Sequence, residues 1–215
     1  MTQTMTLPAP GFADQRVAGI LQAVRRAFAE KGFDGASMQD LARTAGMSVG
    51  NFYRYFPSKA AIVEALIARD LAEMEQDFAT ILTAPVPMEA LRAKIRQRVT
   101  LKECIEDGPV WAEICAASMR KPEIGAATQR MEEEIVAHLT AVFARITRRT
   151  HEAAMALYGT HAALIVMLVQ SIVMHAPTTD PRHLPLTQMV LKIIDDTLDA
   201  VAADALPASL AGKSA

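Results

Sequence analysis

Between residues 49 and 59 the chain collects Val49, Gly50, Asn51, Tyr53, Arg54, Tyr55 and Lys59. An asparagine amide can pair bidentately with an adenine edge, and tyrosine and lysine can hydrogen-bond phosphate oxygens. These residue types in so short a run point to reading a duplex. Bond-making chemistry has no comparable cluster. There is no glycine-rich phosphate loop, no metal-ligand pair at i, i+4 and no nucleophile elbow. Glu113 and His161 are the one conceivable acid/base pair, and nothing in the sequence brings them together. The reading is therefore a protein that is not an enzyme, with no metal and no cofactor.

Those side chains need a rigid support, and the flanking residues predict one. Met38, Leu41, Ala42 and Ala45 fall at helical spacing and give a first short helix an apolar face. Gly46 follows, where a glycine takes a positive φ at little steric cost. Ser48 stands at the N-cap position of a second helix over Val49 to Phe56, and Pro57 stops it. With Phe52 and Phe56 turned inward, the polar residues of that helix are left for groove and backbone. Two short helices joined by a glycine turn make a helix-turn-helix, whose second helix enters the major groove.

This stretch resembles the DNA-binding domain of the TetR family of bacterial transcriptional regulators. The resemblance runs from Val17 to Lys59. It is carried by Ala27-Phe28, Lys31-Gly32-Phe33, Ser37 opening the second helix, Leu41-Ala42, Ala45-Gly46, Ser48, Tyr53, Phe56 and Lys59. It covers about a quarter of the sequence. It implies DNA contacts from Ser37, Gln39, Arg43, Ser48, Val49, Gly50, Asn51, Tyr53, Arg54, Tyr55 and Lys59, with Lys59 on a phosphate. It also implies a homodimer on a palindromic double-stranded DNA operator, and a ligand cavity in the rest of the chain.

Composition agrees without deciding. The 215 residues are 51% hydrophobic and carry a net charge of −2. Residues 1–60 hold seven Lys/Arg against four Asp/Glu, and the remainder fifteen against twenty. The basic excess thus sits where DNA would be. Arg25 and Arg26 on the first helix could touch phosphate or be solvated. Cys104 and Cys115 are too few and too far apart for a zinc motif or disulfide framework. Residues 1–12 lack the pattern of a signal peptide. The longest apolar run, Ala162 to Val169, falls short of the roughly 18 residues of a membrane span. The expectation is a cytoplasmic protein with no membrane partner.

Beyond the head, helical periodicity continues. An all-α chain of about nine helices is expected: a tail over 1–12, a DNA-binding domain over 13–59, a ligand-binding and dimerisation domain over 60–203 and a C-terminal tail over 204–215. The expected helices are Asp14 to Lys31, the two short ones, Ala60 to Thr83, Met88 to Asp107, Val110 to Arg120, Glu123 to Arg149, Glu152 to His175 and Leu186 to Ala203, with 176–185 a loop. The stripe of the long fourth helix is broken only at Asp70. Arg92, Lys94, Arg96, Arg98 and Lys102 make the fifth helix basic, which reads as a solvated face or a second nucleic-acid surface. The last two helices are too apolar for a surface role, and pairing them with a second copy would form a four-helix bundle.

Adaptable side chains collect in the middle of the body, which suits a mostly apolar small-molecule effector. The candidate ligand residues are Trp111, Cys115, Met119, Phe143, Tyr158 and His161. Taken together, the sequence reads as a repressor released from its operator by that effector. The alternative is an activator, or a regulator controlled by a protein partner with no small ligand.

Overall fold

The computed structural model describes residues 12–100, 107–175 and 183–205. Among these residues there are nine α-helices and no strand. They are α1 (Phe12–Lys31), α2 (Met38–Thr44), α3 (Val49–Tyr55), α4 (Lys59–Thr83), α5 (Pro87–Thr100), α6 (Gly108–Ser118), α7 (Pro122–Thr147), α8 (His151–His175) and α9 (His183–Ala203). Cys104, Lys102 and, of the two expected tails, residues 1–11 and 206–215 lie outside the described residues.

Several helix ends have a local cause. Ser37 caps α2 in a reciprocal box with Asp40, and Ser58 accepts the Ala61 N–H at the start of α4. Lys31 and Ser37 beside the Asp40 carboxyl hold it well below the usual carboxylate range. Thr150 accepts the Ala153 N–H and opens α8. Two of the ends that differ from the sequence expectation have a clear cause. α7 stops at Thr147 because Arg148 turns to a left-handed φ of 57°. α9 starts at His183, with Pro185 inside its first turn, where a missing N–H costs nothing.

Two apolar cores organise the packing. The first joins Leu21, Val24, Phe28, Phe33, Leu41, Phe52 and Phe56 to Ile62, Val63 and Leu66 of α4. It continues through Val110 and Ile114 of α6 into Ile124 of α7. The head core therefore does not stop at residue 59 but takes in the first turns of α4 and one face of α6. Phe28, Phe33 and Phe52 are fully buried, each contributing roughly 1.5–3 kcal/mol. The second core joins Met74, Phe78, Leu91, Leu139, Val142, Phe143, Tyr158, Ile165, Ile194 and Leu198.

Asp70, the one charge in the α4 stripe, is accounted for by α1. Arg25 donates to its carboxylate, reaches Asp107 at 2.8 Å and lies over the Trp111 ring at 6.0 Å. Neither phosphate nor solvent holds Arg25: its side chain is 13% exposed and both its partners are body carboxylates. Arg26 is exposed. Burial pushes the Asp70 carboxyl up, against the pull of Arg25.

Three basic residues of α5 are held by carboxylates. Arg92 binds Asp195 at 2.7 Å and Asp199, Arg96 binds Asp195 at 2.6 Å, and Lys94 binds Asp77 at 2.6 Å. These pairs tie α5 to α9 and α4, so this strip is neither a second nucleic-acid surface nor a purely solvated face. Among the described residues one helix, His151–Met174 within α8, is long and apolar enough to cross a membrane by length and composition alone. One of its faces, through Ala154, Tyr158, Ala162 and Ile165, is buried in the second core.

Candidate functional site

The reading element is α3, and the turn before it fixes its direction. Gly46 has φ +66°, the left-handed conformation that ends α2. Ser48 then accepts the Asn51 N–H at 3.4 Å. Phe52 and Phe56 are buried at 0% and 5% exposure, their rings 5.7 Å apart. That packing rolls the opposite face outward. Val49, Gly50, Tyr53, Arg54 and Tyr55 are exposed, and Asn51 is half-buried. Tyr55 leans on Phe56 at 6.4 Å between ring centroids. Gln39, Arg43, Ser37 and Ser48 are exposed around it on α2 and the turn. No described residue covers α3 as a base-facing surface would need to be covered to lose that use.

Two candidates serve the fold as well. The Ser37 hydroxyl is engaged with Asp40 in the cap. The Lys59 ammonium donates to the Phe33 carbonyl at 2.7 Å and the Asp34 carbonyl at 3.1 Å, and sits 5.3 Å from the Phe33 ring. Burial lowers its pKa. An ammonium has three donors, so Lys59 ties down the α1–α2 turn with two of them. A role on phosphate alone, as the resemblance implied, is too simple.

The body holds a partly open cavity of about 380 Å³ between α4, α5, α6, α7 and α8. Its wall is mainly apolar, through Met74, Phe78, Ile95, Met131, Ile135, Ile165 and Val166. Polar groups collect on it too: Asp70, Asp77, Lys94, Arg98, Gln129, Glu132 and Gln170. Of the candidate ligand residues, Trp111 and Cys115 line this cavity. The other four do not. Met119 is 88% exposed at the end of α6. Phe143 and Tyr158 are buried against each other, ring centroids 6.2 Å apart, and His161 packs edge-on to Tyr158. The Tyr158 hydroxyl donates to Asp204. Residue type does not say which side of a helix faces a void. Burial, then Glu132, pushes the Cys115 thiol up, so it is held neutral.

Glu113 and His161 are held apart by different partners. The Glu113 carboxylate accepts the Phe33 N–H, while His161 lies beside Tyr158. Met74, Phe78, Arg98 and Asp70 were not singled out for the cavity by sequence. Only the interruption of the α4 stripe at Asp70 marked one of them.

Residues 20–66 match the family model described as bacterial regulatory proteins, tetR family. The chain is similar to the HTH-type transcriptional regulator UidR of Escherichia coli (strain K12), 29% identical over 111 residues, half of this chain and 54% of that one. The match thus spans about half the length of that relative. The HTH-type transcriptional regulator EthR of Mycolicibacterium smegmatis is 46% identical over 54 residues, a quarter of each chain. Among solved structures, Salmonella enterica GusR superposes with a TM-score of 0.68 at 22% identity, over 88% of this chain and 98% of that one. The reduced form of Escherichia coli NemR gives 0.59 at 16%, over 91% and 100%. At these identities the structural likeness speaks to the fold.

Proposed function

The N-terminal domain of this chain belongs to the tetR family of bacterial regulatory proteins, and from that premise we propose that the protein is a cytoplasmic transcriptional repressor. It binds a palindromic operator as a homodimer and leaves it when a small, largely apolar molecule fills the body cavity. The observation that carries the reading is the α3 surface. A short helix is anchored by Phe52 and Phe56 and offers Tyr53, Arg54 and Tyr55 outward, with Asn51 half-buried beside them. Asn51 reads a base edge, and the tyrosines and Arg54 meet phosphates.

Dimerisation has its own support. Leu157, Leu164 and Met167 of α8 and Leu184, Leu186, Met189 and Ile193 of α9 are all exposed. So large an apolar face, on two adjacent helices, suits the same two helices of a second copy. A two-fold dimer sets two α3 helices about one DNA turn apart, ~34 Å or a multiple. The effector shifts the dimer between spacings only by its difference in affinity for them. Coupling of about 1–3 kcal/mol changes operator affinity five- to 150-fold.

The test is fluorescence anisotropy against duplexes selected from a random pool, across a salt series. Tight, two-fold-symmetric sites and a steep salt dependence are expected. A purified protein that ignores every duplex at low ionic strength would sink the reading.

A further inference from the structure

We infer that Arg25 is the residue through which the cavity acts on the DNA-binding head: a guanidinium carried by α1 and held by two groups of the cavity wall. This rests on the cavity being the effector site and names the side chain that makes its occupancy felt at α3.

Arg25 stands one contact behind the wall, on the side of the head. It donates to the Asp70 carboxylate of α4, pairs with Asp107 at 2.8 Å just before α6 and lies over the ring of Trp111 in the first turn of α6. Asp70 and Trp111 both line the cavity. A molecule that touches either is thus a single side chain away from α1. Arg98, also on the wall, acts on the same Asp70 carboxylate. That carboxylate therefore stands between a cation of the head and a cation of the cavity.

The other polar contacts between head and body lack this property. Among the described residues they are the Phe33 N–H on Glu113, and Asp34 with Arg120 and Lys121. Glu113, Arg120 and Lys121 are not part of the cavity wall. They fasten the head to α6 and its end without meeting a bound molecule.

Charge makes the Arg25 contact stiff. Its side chain and that of Asp70 are each 13% exposed. A guanidinium cannot shed its proton, and separating such a pair leaves a charge uncompensated. When Asp70 or Trp111 shifts, α1 follows. One half of the cage around Arg25 is on α4 and the other at the start of α6, and the cavity is walled by both helices. An occupant that spreads α4 from α6 must move Arg25 or break half of its cage. Val24 and Phe28, on the same helix as Arg25, share a core with Phe52 of α3. A close-packed interior transmits such a shift, so a displaced α1 carries the reading helix with it.

The experiment is a double-mutant cycle read by duplex affinity. Val169 lines the cavity from α8 and takes no part in the Arg25 cage. Val169→Trp serves as a built-in occupant. N-phenyl-1-naphthylamine, an uncharged apolar dye, serves as a diffusible one, and quenching of Trp111, the only tryptophan, reports that it has entered. In the otherwise unaltered protein either occupant is expected to change affinity for the selected duplex by about five-fold or more. In Arg25→Met, which keeps an aliphatic stem and loses the charge, the same occupants should change it by less than two-fold. Glu113→Ala loosens the head without touching the wall, and there the full change should persist. Equal changes with and without Arg25 send the signal by another path and overturn the inference. Loss of the change in Glu113→Ala as well as in Arg25→Met makes it a property of the whole joint and also overturns it. Should Arg25→Met fail to fold by circular dichroism or to bind duplex, Asp70→Asn weakens the same contact from α4. There the change is expected to shrink at least two-fold, and an undiminished one overturns the inference. An occupied cavity that leaves duplex affinity unaltered in the parent protein is a different failure: it rejects the ligand-to-DNA coupling proposed above, and the role of Arg25 with it.

Discussion

The Phe33 N–H donates to the Glu113 carboxylate at 2.9 Å, across 80 residues of sequence. This bond joins the turn after α1 to the middle of α6, which presents Trp111, Cys115 and Ser118 to the cavity. Asp34, the next residue, pairs with Arg120 at 2.8 Å and with Lys121 just beyond α6. Arg25 completes the joint through Asp107 and Trp111. The head is thus fastened to the same helix that forms one wall of the cavity.

Glu113→Ala removes a charged acceptor from a half-buried N–H, a loss of about 1.5–3 kcal/mol. Thermal unfolding should fall by roughly 3–12 °C for a chain of this size. Gly32→Ala should act on the same joint. Gly32 has φ +73°, and an added Cβ would stand 3.0 Å from the Glu113 carboxylate. A wild-type melt in either variant would remove Glu113 from the joint.

Lys59→Ala should lower stability and DNA affinity together. Two carbonyls of the α1–α2 turn lose their donor, so the melt drops by a few degrees, and the loss of one phosphate contact reduces the slope of log affinity against log salt by about one. Tyr53→Phe should weaken all duplexes alike. Asn51→Ala should instead flatten the preference among operator variants. An unaltered salt slope in Lys59→Ala would leave that residue a purely structural part.

Acid should weaken the α5–α9 tie. Burial alone would raise the Asp195 pKa, but hydrogen bonds from Arg96 and Arg92 outweigh it and hold the group below its ordinary value. A carboxyl lowered in the folded state contributes stability above its unfolded value, about 3.9, and loses it as pH falls through the folded one. Asp195→Asn should therefore be less stable than wild type at pH 7, with the gap closing below about pH 4. Asp70 has the opposite sign. Burial raises its pKa, so its ionised form costs stability above that value and protonation relieves the cost. Urea midpoints at pH 7, 5 and 3 for Asp195→Asn and wild type check this, and parallel curves would refute it.

Met189→Glu or Ile193→Glu places a charge in the centre of the proposed dimer face, where both residues are now exposed at 65% and 46%. Sedimentation should shift from dimer to monomer, and the melting temperature should lose its dependence on protein concentration. A variant that stays dimeric would move the interface elsewhere.

The sequence by itself determined the helices and the reading head. Ser37, Gly46, Ser48 and Pro57 bound their helices through contacts only a few residues long, and Phe52 and Phe56 share a face because a helix repeats every 3.6 residues. Both are local rules, so they survive without knowing any neighbour. The tertiary structure alone decided the partners. Arg25 meets Asp70 across 45 residues, and Arg92 meets Asp195 across 103. Met119, just past the end of α6, proved exposed while Met74 of α4 lined the cavity, although the sequence reads both as helical methionines. Which side of a helix meets a void, and which charge finds its counter-charge, depend on how whole helices rotate and slide against one another, and periodicity along one helix does not specify that register.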